Sequence, residues 1–372
     1  MAKIILTRYL YILDECIHSF IYSLLKKQPI EQVYFWISEI YLSGFKTRSW
    51  DLLWYVYFDF YFINNPTFYS FIDKKQNTYT LKDLLTVVKN LYKFIPSSQI
   101  FITRQYNSQI KQIDYIFRGR KPSWLNKDYS NKFHGLFRFL KKKLYHFAVS
   151  SIPQHIDDDL WASIKTFYNL NDDTMMFIQK SYDITYSNSQ HKIWAIFYLL
   201  EFNPLFYSNK NKLYISISES EINTILEIHN SPIPLSPNKQ LLQIYKTLSY
   251  KRIYSIPKEI SSFYLAREQV DNINHLIWYN WQYYAYYSPI WKERFDNYDI
   301  TIDDDKQLII FNNDGQLEDF HQQWGYDPDE QTFETMDKRM YETTDYYWKH
   351  WYNKIFNNHS IYQFEDEFKF IY

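Results

Sequence analysis

Apolar residues recur every third or fourth position along most of this chain, and that spacing is helical. Leu10, Leu13, Ile17, Phe20 and Leu24 form one such stripe. Pro29 suits the first turn of a second helix, with Val33, Trp36, Ile37 and Ile40 inward and Ser43-Gly44 as its stop. A third helix runs from about Ser49, with Trp50, Leu53, Tyr57 and Phe60 on one face, to the breaker Asn64-Asn65-Pro66. Short connections between these helices predict antiparallel packing, as in a bundle or a run of helical hairpins. No fixed-period repeat is present, which argues against a regular solenoid.

Further along, Thr80-Leu81-Lys82-Asp83 has capping-box spacing and opens a helix to about Phe94; another covers 99–117. After the turn-rich 117–124, residues 131–149 read as a basic amphipathic helix with Phe133, Leu136, Leu140, Leu144 and Phe147 inward. Asp157 or a neighbour caps the next helix, 191–202 is a buried helix, and 220–229 another. The alternating KLYISIS at 212–218 predicts a short strand. SPIPLSP at 231–237 marks a boundary between an N-terminal helical domain (1–230) and a C-terminal α domain (238–372), with one continuous fold as the alternative. In the last third, a helix over 266–287 precedes a β-hairpin within 298–315, its strands near 298–312. Helical pieces at 328–341 and 344–356 follow. The fold class is mainly α with a minor β element.

Composition narrows the chemistry. Five glycines serve 372 residues, where an average chain carries roughly five times as many. Backbone that approaches phosphate closely needs glycine, so a nucleotide cradle is not expected. Tyr, Phe and Trp reach 21%, an excess of the kind an AT-rich coding sequence would also write. The P-loop, dinucleotide, nucleophile-elbow and H-E-x-x-H patterns are all missing from the sequence. Cys16 is the one cysteine, which leaves no intrachain disulfide or cysteine zinc cluster, and it reads as a core thiol. HIDDD (155–159) sits where a helix N-terminus favours negative charge, and DITIDDD (299–305) sits at a hairpin tip. Neither has calcium-loop spacing, and the ten histidines lack ligand spacing, so no metal or cofactor is expected. The start is broken by Arg8 and Asp14, and no apolar run approaches the ~18 residues of a membrane span. A soluble, intracellular and non-enzymatic protein is the expectation.

Charge is segregated although the net charge is −1. Residues 111–146 hold ten Lys/Arg against two acids, and residues 296–345 hold fifteen Asp/Glu against three basic residues. Arg118, Arg120, Lys121, Arg138, Lys141, Lys142 and Lys143 are therefore candidates for phosphate contacts or for an acidic partner protein, with Trp124 and Tyr129 placed to stack on bases. A solvated face, or an intramolecular match with the acidic segment, explains the same pattern.

The segment WQYYAYYSPIWKER (281–294) is the densest aromatic run. Val270, Ile273, Ile277, Trp281, Tyr284, Ser288, Trp291 and Phe295 step by three and four, so one face turns to the core. Pro289 forces a kink or restart, with Ser288 as its cap. Tyr279, Tyr283, Tyr286 and Tyr287 fall off that stripe beside Lys292 and Arg294, which makes them the candidate protein-partner surface. In GYDPDEQ (325–331), Asp327 reads as an N-cap, Pro328 as the first helical residue and Glu330 as the capping-box acid, with Tyr326 fixing the entry.

WQYYAYYSPIWKERF (281–295), ITIDDDKQLIIF (300–311) and GYDPDEQ, with FWISEIYLSGF (35–45) and WYVYFDFYFINNP (54–66), resemble a family of uncharacterised proteins of nucleocytoplasmic large DNA viruses. The resemblance spans about a third of the chain, mostly at its two ends. It implies a giant-virus-like protein working in an infected cell or virion, and it carries no catalytic residues over. The function expected is a helical scaffold or adaptor acting through protein contacts in viral gene expression or particle assembly. A nucleic-acid-binding accessory factor using 118–143 is the alternative, and RNA or DNA its partner.

Overall fold

A computed structural model describes residues 4–109, 123–125, 133–206, 213–230, 246–262, 273–328 and 331–338. The described chain is mainly helical, with one small antiparallel sheet. In order come α1 (Leu13–Lys26), α2 (Ile30–Leu42), α3 (Lys46–Phe60), α4 (Tyr69–Gln76), α5 (Leu81–Lys93) and α6 (Gln99–Gln109). Then follow α7 (His134–Lys141), α8 (Tyr145–Ser150), α9 (Asp158–Tyr168), α10 (Asp172–Tyr182), α11 (Ser189–Phe202) and α12 (Glu219–Asn230). The last elements are α13 (Lys246–Lys251), α14 (Ile273–Tyr286), α15 (Pro289–Phe295), β1 (Ile300–Asp303), β2 (Leu308–Phe311), α16 (Asp314–Trp324) and α17 (Phe333–Asp337).

Two compact units divide the chain, and neither is continuous in sequence. Of the described residues, the first takes 4–52, 79–92, 216–230, 246–262, 273–328 and 331–338; the second takes 53–78, 93–109, 123–125, 133–206 and 213–215. A single cut near 231–237 does not separate them, and 231–237 lies outside the described residues.

In the first unit, α1 packs along α2 across the turn at 27–29. Lys27 closes α1 in the left-handed region at φ 56°, its N–H and that of Gln28 returning to Leu24 and Ser23 carbonyls. Trp36 of α2, Trp50 of α3 and Trp291 of α15 are fully buried, each worth about 1.5–3 kcal/mol or more of apolar burial. α1 begins later than the sequence stripe. Leu10 is buried but sits in a turn at φ 56°, because 6–12 folds back on itself through a Leu6–Ile12 bridge. Ser43 and Gly44 end α2 as expected, Gly44 at φ +95°.

The capping spacing at Thr80 opens α5: Asp83 N–H donates to Thr80 Oγ1 at 3.1 Å, and the Asp83 carboxylate accepts the Thr80 hydroxyl at 2.7 Å. A complete box occurs at Ser218-Glu219-Ser220-Glu221, with Glu221 N–H on Ser218 Oγ (3.3 Å) and Ser218 N–H on Glu221 Oε2 (2.8 Å). The strand expected at 212–218 is not formed over 213–218. Among the described residues no strand runs beside it, and its polar backbone meets side chains: Ile217 N–H donates to Thr86 Oγ1 and Lys89 Nζ donates to the Ser216 carbonyl.

In the second unit, α10 packs on α11 and α6 contacts both α8 and α11, and Trp54, Tyr57 and Tyr61 are fully buried. Asp157 caps α9, accepting Leu160 N–H at 2.9 Å. The helix expected over 131–149 is two helices, α7 and α8. Lys143 takes φ 57°, which no helix interior tolerates, and the α7 carbonyls are closed off by 142–144 N–H groups. Phe133, Leu136 and Leu140 are buried, whereas Leu144 and Phe147 are half-buried. Among the described residues no helix is long and apolar enough to cross a membrane.

Candidate functional site

The aromatic run forms two helices that meet at Ser288-Pro289. Asn280 leaves helical geometry (φ −123°, ψ 23°) and its side-chain amide donates to the Lys306 and Gln307 carbonyls, 3.1 and 2.9 Å away. Ser288 occupies the cap position of α15 with Pro289 next, but its hydroxyl makes no capping bond; the extended backbone (ψ 141°) makes the turn. Ile277, Trp281, Tyr284, Ser288, Trp291 and Phe295 are buried as the stripe requires, Ile273 is half-buried, and Val270 lies outside the described residues.

The off-stripe tyrosines separate. Tyr279 is 64% exposed, its ring 4.6 Å from His275. Tyr283 is buried, because the β1–β2 tip folds over α14 and Asp304 accepts hydroxyl hydrogens from Tyr283 (2.8 Å) and Tyr287 (3.1 Å). Burial and these two neighbours push the Tyr283 hydroxyl pKa far up. Tyr286 and Tyr287 are half-buried, and Tyr286 packs on Phe295. Lys292 is exposed. Arg294 packs against two indoles that meet at 76°, its Cζ 3.9 Å from the Trp324 ring centre and 4.3 Å from that of Trp291. Its Nη1 is buried with no hydrogen-bond acceptor among the described residues, and burial pulls its pKa down.

Beside that stack, α15 and α16 border an open groove of about 540 Å³. Glu293, Asn297, Tyr298, Asp319, Gln323 and Trp324 line it together with Arg294. Tyr298 Oη and Gln323 Nε2 both donate to Asp319 Oδ2, at 2.9 and 3.0 Å, which fixes that carboxylate at the rim. From 289 to 327 the chain carries ten acids against three Lys/Arg, so the groove sits in a negative field. The second unit has an open groove of about 570 Å³, where Lys74 and Lys180 face Asp73 and Asp183 and no sign dominates.

The most heavily buried ionisable groups answer one another. In the first unit Glu39 Oε2 accepts Arg8 Nε at 2.9 Å and its Oε1 accepts Tyr9 N–H at 3.1 Å. Arg8 also bonds His229 Nδ1, and Tyr9 Oη donates to the His229 carbonyl. Arg252 is fully buried and donates to the Tyr9 (2.8 Å), Leu10 (3.5 Å) and Thr335 (2.9 Å) carbonyls; burial pushes its pKa down to about 10. In the second unit Asp59 meets Arg104 Nη2 at 2.9 Å and His191 Nε2 at 2.8 Å, and His191 Nδ1 meets Tyr186 Oη at 2.9 Å. A carboxylate, imidazole and hydroxyl in that order can relay a proton, but all three side chains are closed to solvent. They lock α3, α6 and α11 together. Cys16 is likewise buried, and burial raises its thiol pKa well above the ordinary value.

Of the basic candidates, Arg118, Arg120 and Lys121 lie outside the described residues, as does Tyr129. Lys141 ends α7, and Lys142 and Lys143 follow in the turn; all three are exposed. Arg138 is half-buried. Trp124 is half-buried too, its ring 6.3 Å from Phe167, so part of its surface is taken up in packing. The Asp327 carboxylate takes Trp281 Nε1 (3.1 Å) and His321 Nδ1 (2.8 Å), which hold its pKa down, and the 329–330 N–H groups that a cap would serve lie outside the described residues. Glu330 lies outside the described residues, and the helix that follows, α17, is capped by Thr332.

No protein-family model matches the chain, and no curated protein or solved structure matches it.

Proposed function

We propose that the chain is a non-enzymatic helical scaffold or adaptor, working through protein contacts in viral gene expression or particle assembly. The observation that carries this reading is the contrast between its polar groups. Glu39 and Arg8, Asp59 and His191, and Arg252 are committed to one another and to backbone carbonyls inside the fold, whereas the α15–α16 groove presents polar and aromatic side chains outward. The likeness of 281–295, 300–311 and 325–331 to giant-virus proteins supports the viral setting. Affinity purification of the tagged chain from infected cells tests it: a partner protein recovered in fixed stoichiometry is the expected result. A lone monomer in every extract would sink it.

The exposed run Lys141-Lys142-Lys143 favours a second reading, a nucleic-acid-binding accessory factor. Reversing the charge of Lys141, Lys142, Arg118 and Arg120 is then expected to weaken RNA or DNA binding and flatten its salt dependence. Undetectable binding by the intact protein at low salt counts against this reading.

A further inference from the structure

We infer that the α15–α16 groove receives a lysine or arginine side chain from a basic segment of the partner protein, an inference that rests on the adaptor reading. Charge complementarity selects the sign. Glu293 and Asp319 stand at the groove, and Asp296, Asp314 and Glu318 are exposed on the same stretch of chain. Lys292 is exposed there as well, but the remaining cation, Arg294, is packed against the Trp324 and Trp291 rings. An anionic ligand such as a nucleic-acid phosphate meets carboxylates first and is disfavoured.

Chemistry selects a side chain over a bare ion. Trp324 lines the groove with an indole whose one face Arg294 already covers at 3.9 Å, and cations near tryptophan are attracted by the ring quadrupole. Gln323 Nε2 is spent on Asp319 and Asn297 Nδ2 on the Glu293 and Arg294 carbonyls, which leaves their amide oxygens to accept N–H groups of a basic side chain or its peptide. A space of about 540 Å³ is within the range that holds a ligand of one or two residues. Asp319 is pre-set by Tyr298 and Gln323, so little side-chain entropy is lost when a guanidinium arrives.

The test titrates the full chain with a hexa-arginine peptide, and with hexa-glutamate as the control, following tryptophan fluorescence at low and moderate salt. Glu293→Gln and Asp319→Asn keep side-chain shape, and the amide introduced by the second change retains an acceptor for Tyr298 and Gln323. The pair of changes is expected to weaken hexa-arginine binding by about fivefold or more. Equal binding by the parent and the double variant, or no binding by the parent, overturns the inference. Glu293→Gln alone, on an exposed residue, keeps the test decisive if the double variant unfolds: a loss of at least about twofold is expected, and none refutes it. A parent that self-associates and a double variant that does not would assign the groove to a second copy and overturn it too. If the double variant still recovers a stoichiometric partner from cells, this inference fails and the adaptor reading stands. If the parent recovers none while hexa-arginine discriminates the variants, the adaptor reading fails and the groove's preference for cations stands.

Discussion

The Arg294 guanidinium lies 3.9 Å from the centre of the Trp324 ring, tying α15 to α16 with a planar cation. Trp291 lies 4.3 Å away with its ring at 76° to that of Trp324, so cation–π contact surrounds the guanidinium whose Nη1 lacks an acceptor among the described residues. A lysine keeps the charge but not the plane. Arg294→Lys is expected to destabilise the fold by about 1–2 kcal/mol in urea unfolding, more than a surface Arg-to-Lys change. An unchanged midpoint would show that the stack contributes little.

Glu39 is the single carboxylate within ion-pair distance of Arg8 among the described residues, and the Glu39 side chain is fully buried. Removing one member of such a pair strands the other charge, so Glu39→Ala is expected to cost about 3–5 kcal/mol. Replacing both in Arg8→Met with Glu39→Leu is expected to cost less than the sum of the single changes, because no charge is stranded. Additive losses in a double-mutant cycle would contradict this.

The helical stripes were legible in the sequence because helix periodicity is local: Ile277, Trp281, Trp291 and Phe295 go where their spacing sends them. What decides the polar core is not local. Arg8 bonds His229 across 221 positions and Arg252 bonds Tyr9 across 243, so in sequence Arg8 looks only like a charge interrupting an apolar start. Tyr283 illustrates the same limit at the candidate surface. A helical wheel puts it off the stripe, yet the hairpin tip, arriving from 21 residues away, buries it. The groove itself depends on α16 meeting α15, and the acidic bias of 296–345 was its one signal in the sequence. KLYISIS alternates like a strand, but alternation without a neighbouring strand yields none over 213–218.

His229 gives stability a pH dependence of definite sign. Burial, with Arg8 and Lys251 nearby, holds its pKa well below the ordinary value. The unfolded chain takes up this proton as pH falls through about 6.5, while the folded chain does not. The unfolded state therefore binds more protons below that point, and stability falls with pH by up to about 1.4 kcal/mol per unit from this group. Glutamine keeps an acceptor for Arg8 and cannot titrate. His229→Gln is expected to unfold with a shallower stability slope between pH 7 and 5, measured by urea midpoints. A slope equal to the parent's would remove His229 from the account.

Gly44 holds φ +95°, and a Cβ there would lie 2.5 Å from Pro289 Cβ. The next residue, Ile290, donates its N–H to the Ser43 carbonyl, so the end of α2 and the start of α15 are bonded as well as touching. Alanine meets both the left-handed conformation and the clash. Gly44→Ala is expected to cost about 2–4 kcal/mol, well above the usual penalty for φ alone, read from thermal unfolding.

Asp304 gathers the hydroxyls of Tyr283 and Tyr287 at the hairpin tip, and Tyr284 Oη donates to Gln307 Oε1 at 2.6 Å on the same turn. Four-residue strands in a two-stranded sheet are marginal alone, so these tyrosines anchor β1 and β2 to α14. Asp304→Ala removes one acceptor shared by two donors, whereas Asp304→Asn leaves one. Amide hydrogen exchange over 301–311 is expected to quicken by about fivefold or more in the alanine variant and by less in the asparagine variant. Equal exchange in all three proteins would mean that the Ile302–Ile309 face, and not the tyrosine hydroxyls, holds the hairpin in place.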